Sequence, residues 1–102
     1  MQPTSIAAMS HTDLAEVLVF WDGIDGVGLN ESDTTDQLEA YLLRNPGMSL
    51  VARWRKRVVG AVLCGHDGRR GYLHHLAVAD EFRGGGLGSA LVARCIDALA
   101  EL

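Results

Sequence analysis

The chain has 102 residues and a mass of 11.0 kDa, enough for one domain with a modest core, since a chain of this size buries roughly two-thirds of its surface on folding. Nine Lys and Arg against thirteen Asp and Glu leave a formal charge of −4, so the basic footprint of a nucleic-acid binder is missing. Hydrophobic residues make up 48% and charged residues 22%, which excludes a disordered chain. The apolar stretches are too short to cross a bilayer, and residues 1–10 lack the basic start and apolar centre of a signal peptide.

Residues 4–9 (TSIAAM) form a candidate first strand. Ser10 and Asp13 then make an S-x-x-D capping pattern. Leu14, Val17, Leu18 and Trp21 follow at i, i+3, i+4 and i+7, one face of a helix. Gly23, Gly26 and Gly28 end it and open a connection through Asn30. Thr34 and Gln37 repeat the capping pattern, and Leu38, Tyr41 and Leu42 supply a second helical face that stops before Asn45-Pro46-Gly47.

The period then changes. Residues 48–54 and 57–65 predict two strands joined by the charged turn Arg55-Lys56. Asp67-Gly68 suits a hairpin turn, and residues 71–78 (GYLHHLAV) predict a fourth strand. A glycine-rich turn leads into a helix from Gly86 to the chain end, with Leu87, Leu91, Cys95, Ala98 and Leu102 along its buried side. The order strand, helix, helix, three-strand antiparallel meander, helix is an α+β arrangement. No repeat, low-complexity tract or linker interrupts it, so residues 1–102 are expected to form a single domain. Cys64 and Cys95 lie in apolar segments without metal or redox spacing, which predicts two reduced, buried thiols in a cytoplasmic protein. The four histidines lack ligand spacing, so no metal is expected.

The informative segment is Arg83-Gly84-Gly85-Gly86-Leu87-Gly88-Ser89, which follows a strand and opens a helix. Glycines let the backbone approach a ligand without Cβ atoms in the way, and unpaired N–H groups at a helix start favour a phosphate or diphosphate. An NTPase phosphate loop would need Gly-Lys-Ser/Thr, and no Lys follows Gly88. A dinucleotide fingerprint would sit in the first βαβ unit with an acidic residue about twenty positions on, which this late turn does not provide. The pattern Arg/Gln-x-x-Gly-x-Gly/Ala fits as Arg83-x-x-Gly86-x-Gly88.

With that pattern, and with Leu76-Ala77-Val78 before it and Val58-Val59-Gly60-Ala61 in the preceding strand, the chain resembles the GCN5-related N-acetyltransferase (GNAT) family. The resemblance extends over nearly the whole chain and implies the family's fold, β-α-α-β-β-β-α, with a mixed, mainly antiparallel sheet. It implies acetyl-CoA as co-substrate, its pyrophosphate on the backbone amides of Gly84, Gly85, Gly86, Leu87, Gly88 and Ser89. Arg83, which begins the motif, either contacts phosphate or orders the turn. Leu76, Ala77 and Val78 would lend backbone groups to the pantetheine arm, much as an added strand pairs. The amide near Leu76 would polarise the thioester carbonyl.

The implied reaction is direct attack of a primary amine on the thioester in a ternary complex. An ammonium of pKa about 10.4 must first lose a proton, so a base or water relay is useful. Alternation along residues 71–78 puts Tyr72, His74 and Leu76 on one face and Leu73 and His75 on the other, with His75 beneath the last helix. His74 falls where a family member carries a strand histidine, and Tyr72 where relatives place a histidine or a catalytic carboxylate. Both are candidate catalytic residues, His74 as base or relay member. The loop 22–30 corresponds to the segment that borders the acceptor, where Asp22, Asp25 and Glu31 could attract a cationic amine. Trp21 and Trp54 are expected in the core or at its rim, and His66 and Asp67 in a solvated turn.

The family's fifth strand, fourth helix and last two strands have no counterpart before Leu102. The expectation is therefore the amino-terminal portion of an acetyltransferase, with homodimerisation through the exposed edge of the fourth strand as a consequence. The alternative is a non-catalytic CoA-binding or regulatory module, a half-domain completed by a second chain. No nucleic-acid or membrane partner is expected.

Overall fold

Short apolar runs bounded by turn residues become strands here, and segments with an apolar period of 3–4 become helices. The computed structural model describes residues 4–31 and 33–102; residues 1–3, part of the stretch read for a signal peptide, lie outside it. Strand β1 (Ser5–Ala8) leads through a short 3-10 turn (His11–Asp13) into α1 (Leu14–Asp22), and α2 (Thr35–Arg44) follows. The meander is β2 (Leu50–Trp54), β3 (Arg57–His66) and β4 (Gly71–Val78). A second 3-10 turn (Asp80–Phe82) precedes α3 (Leu87–Ala100).

The expected capping residues bond at the 3-10 turn that leads into α1 and at the start of α2. The Asp13 carboxylate reaches back to the Ser10 N–H at 2.8 Å, and the Thr34 hydroxyl accepts from the Gln37 N–H at 3.2 Å. Each satisfies a donor that the helix start leaves without a partner one turn back. Arg53 on β2 then ties the start of α1 to the sheet, donating to Asp13 at 2.9 Å and to Glu16 at 2.8 Å.

The four strands form one antiparallel sheet in the order β1-β2-β3-β4, paired for example at Ile6↔Ala52, Val51↔Ala61 and Gly60↔Val78. Residues 58–65 of β3 are all buried, because helices cover both faces of the sheet there. On one face α3 packs Leu87, Leu91 and Cys95 against Val59, Val62 and Cys64. On the other, Leu14, Val17 and Trp21 of α1 and Leu38 of α2 cover Val58, Ala61 and Leu63. Each large apolar side chain buried this way contributes about 1.5–3 kcal/mol.

The turn at Arg55-Lys56 is made without glycine, both residues having positive φ (+49° and +69°). Arg53 donates to the Lys56 carbonyl at 2.7 Å, which holds that turn closed. Cys64 and Cys95 are both buried as free thiols. Burial pushes the Cys95 thiol up to about 12. Trp21 is fully buried and Trp54 half-buried beside Phe82, as expected for core and rim. Leu102 departs from expectation: α3 ends at Ala100, so Leu102 leaves the buried stripe and is 72% exposed.

Candidate functional site

The glycine turn takes the form that its residues suggest. Gly84 and Gly86 have φ of +82° and +87°, which only glycine adopts without strain, and a Cβ added at either would meet nothing within 4 Å. The backbone of the turn is therefore bare on its open side. The Ala90 N–H bonds to the Gly86 carbonyl at 2.9 Å. The N–H groups of Leu87, Gly88 and Ser89 precede that rung and have no carbonyl one turn back within α3. Phe82, buried under Trp54, anchors the approach to the turn. Arg83 lies close, its guanidinium donating to the Val78 carbonyl at 3.4 Å and pairing with Asp80 at 3.4 Å. In this state Arg83 orders the turn while its exposed side chain remains beside it.

Two cavities meet at this corner. One, of about 450 Å³, lies over the turn and is lined by Gly84, Gly86, Gly88 and Ser89. The other, of about 410 Å³, runs along β4 past Leu76 and Ala77, with Asp25, Gly26 and Val27 of the α1–α2 connection opposite. Both include Val78, Arg83 and Gly88, so the helix start and the outer edge of β4 share one groove. β4 pairs with β3 on its other side only. The groove fits a diphosphate ester with an extended tail: amide donors and a guanidinium at one end, strand backbone along the other.

On the α1/α2 face the structure brings together residues from three elements. A cavity of about 320 Å³ between α2 and β4 is lined by Asp33, Gln37, Tyr41, His74 and His75, among others. His74 is exposed, and its ring stacks on Tyr72 with centroids 6.0 Å apart and planes 12° apart. Tyr72 is turned toward the hairpin, where its hydroxyl donates to Asp67 at 2.8 Å. That bond pushes the Tyr72 hydroxyl up, and the Asp67 carboxyl is held at about 2, chiefly by the N–H groups of Arg70 and Arg69. His66 and Asp67 thus serve the turn, as expected.

His75 is the clear correction. Strict alternation put it beneath α3, but it lies on the opposite face. Residues 75 and 76 together stand opposite Val62, because the pairing jumps from Ala61↔Ala77 to Leu63↔His74. This bulge gives His75 a φ of +57° and turns its side chain toward α1. There its ring meets Trp21 edge-on, with centroids 5.2 Å apart and planes at 68°. His75 Nε2 lies 3.0 Å from Asp33 Oδ1, and the two side chains are only 17% and 6% exposed.

The second oxygen of Asp33 accepts the Asn30 N–H at 3.0 Å, so the carboxylate is held at both ends. Among the acidic residues named for an amine, Asp25 lines the groove, whereas Asp22 and Glu31 are exposed and line neither cavity. Asp33 was not apparent in the sequence. It lies 42 positions from His75, and its place just before a helix cap gave it a sufficient local reason to be there.

A bulged strand beside a bare glycine turn defines a class of fold in which an open groove runs from a strand edge to a helix start. The comparisons with known proteins make the class specific. The sequence profile of the acetyltransferase (GNAT) family matches residues 15–102, and the chain belongs to that family. An acetyltransferase of Photorhabdus laumondii is 36% identical over 89 residues, which is 87% of this chain and 62% of that protein. The chain thus spans about three-fifths of the length of this curated relative.

Among solved structures, a GNAT-family acetyltransferase of Staphylococcus aureus superposes with a TM-score of 0.82 at 17% identity, over 97% of this chain and 67% of that one. The PaiA N-acetyltransferase of Thermoplasma acidophilum, solved in complex with coenzyme A, superposes with a TM-score of 0.79 at 14% identity, over 98% and 74%. The fold is that of the acetyltransferases. Among the described residues, no helix is long and apolar enough to cross a membrane.

Proposed function

We propose that the chain carries the acetyl-CoA-binding and amine-facing part of an N-acetyltransferase, and that its residues form one acetyltransferase domain unit spanning 62% of a curated relative. The observation that carries this reading is the single groove joining the bare turn at Gly84–Gly86–Gly88 to the outer edge of β4. Acetyl-CoA, when bound, supplies an acyl thioester that an amine can attack. The amides from Gly84 through Ser89 receive the diphosphate, where the partial positive charge of the α3 start favours an anion. Arg83 adds a cation at the same corner.

The outer N–H and C=O groups of Leu76, Ala77 and Val78 align the tail as a neighbouring strand would. The amide near Leu76 stabilises charge gathering on the thioester oxygen. His74 serves as the outer member of the proton path from the acceptor amine to solvent, with Tyr72 stacked behind it. The acceptor is a primary amine, reached through the cavity between α2 and β4. A cytoplasmic setting belongs to this reading, supported by two thiols buried without a disulfide. So does pairing of two copies through the exposed edge of β4 outside the stretch 76–78 that the tail occupies.

Thermal unfolding with coenzyme A and with NAD tests the reading. A one-site ligand at 100 times its Kd contributes about 2.7 kcal/mol, so coenzyme A raises the melting point and NAD leaves it unchanged. No shift with coenzyme A refutes the placement. The alternative, a CoA-binding module without transfer, draws on the 62% span against the relative. It gains if coenzyme A binds but acetyl-CoA is never consumed with a broad panel of primary amines.

A further inference from the structure

We propose that His75 and Asp33 form a catalytic pair in which His75 takes the proton of the incoming amine and Asp33 orients its ring. The inference rests on the acetyltransferase reading and deepens it, assigning the inner proton acceptor to a residue that strand alternation had placed on the wrong face.

Three independent observations converge on His75. First, its backbone is held at φ +57° in a bulge; for a residue other than glycine this conformation is strained, and such strain gathers at functional sites. Second, its ring is fixed from two sides, by Asp33 at 3.0 Å and by the edge contact with Trp21 at 5.2 Å. Third, among the residues around this strand, His75 lines both the groove along β4 and the cavity under α2. The thioester and the amine would approach from those two spaces.

The hydrogen bond decides the tautomer. An ionised carboxylate only accepts, so the neutral ring carries its proton on Nε2, facing Asp33, and Nδ1 keeps its lone pair. Among the described residues none bonds Nδ1. A base oriented by a carboxylate through its far nitrogen is the arrangement that general-base catalysis needs. The titratable and charged groups around the ring are Asp33, His74 and Tyr41 on the cavity side and Asp25 and Arg83 on the groove side.

The balance of the reaction closes. An entering ammonium gives one proton to Nδ1 of His75, which passes it to solvent by way of His74. The free amine forms the new N–C bond as the C–S bond breaks. The second amine proton goes to the departing sulfur, leaving the amide, the thiol and one proton released.

Two measurements test the pair. Nitrogen-15 NMR of the imidazoles, on the full chain with coenzyme A, should show His75 as the Nε2–H tautomer with its Nε2 proton protected from exchange by Asp33, and Asp33→Ala should remove that protection. Acetyl transfer to spermidine, glycinamide and Nα-acetyl-lysine amide should fall about 100-fold in His75→Asn, a loss in the usual range for a general base. Asparagine is chosen because it tolerates positive φ.

Transfer should fall at least tenfold in Asp33→Asn and recover in part in Asp33→Glu. The coenzyme A-induced melting shift should stay unchanged in Asp33→Asn, whose site lines only the cavity under α2. An Nδ1–H tautomer, or His75→Asn transferring within threefold of the parent chain, overturns the pair. So does a parent chain that binds coenzyme A but acetylates none of the three amines. Loss of coenzyme A binding by the parent chain would instead overturn the acetyltransferase reading, while the NMR result still decides the pair.

Discussion

Two alanine substitutions one residue apart separate the strain of the glycine turn from its proposed role as a ligand cradle. Gly86 stands at φ +87° with nothing within 4 Å of an added Cβ, so Gly86→Ala costs only the left-handed conformation, about 1–2 kcal/mol. Gly85 has no such φ, and its added Cβ would meet the Phe82 carbonyl at an ordinary 3.6 Å. Both changes stiffen the unfolded chain equally, a gain of about 0.4–1 kcal/mol that cancels between them. Gly85→Ala should therefore be more stable than Gly86→Ala by about 1–2 kcal/mol. In a domain of this size each kcal/mol moves the melting point by roughly 4–8 °C.

Urea unfolding without ligand reads this difference. The same titration at a coenzyme A concentration 100 times the parent Kd reads the cradle. A methyl group that weakens binding tenfold would cut the ligand's contribution from about 2.7 to about 1.4 kcal/mol. Equal stability of the two variants would refute the left-handed start of α3. An undiminished coenzyme A contribution in both would refute the seating of the diphosphate on this turn.

Further outcomes follow from the hydrogen bonds. Ser49→Ala should destabilise by about 1–3 kcal/mol in urea unfolding, because the buried Ser49 hydroxyl accepts from the Cys64 N–H at 2.9 Å and donates to its carbonyl at 3.3 Å; a change within 0.3 kcal/mol would contradict that bonding. Asp67 should titrate with a midpoint at about 2 when followed through the Tyr72 ring resonances. Its folded carboxyl binds a proton less readily than the unfolded one, so its contribution is complete above the ordinary carboxylate range and is lost as pH falls through about 2. An ordinary carboxylate midpoint would show that the Arg69 and Arg70 N–H bonds to Asp67 are absent in solution.

Local chemistry settled much of this protein in advance. The apolar spacing in 14–21 and 87–95, the caps at Ser10 and Thr34, and the glycines at 84–88 each act over a few residues, so element order and the bare glycine turn before α3 could be read from the chain alone. The acetyltransferase signature from Leu76 to Ser89 lies on one continuous strand–turn–helix and was legible for the same reason. What neighbours in sequence could not reveal was which way β4 turns at residue 75. The bulge shifts the pairing of β4 with β3 between Ala61 and Leu63, and side-chain alternation along β4 alone does not reveal it. Once the strand slips by one residue there, His75 changes face and meets Trp21 from α1 and Asp33 from the loop before α2. Those contacts span dozens of positions along the chain, so only folding brings them together.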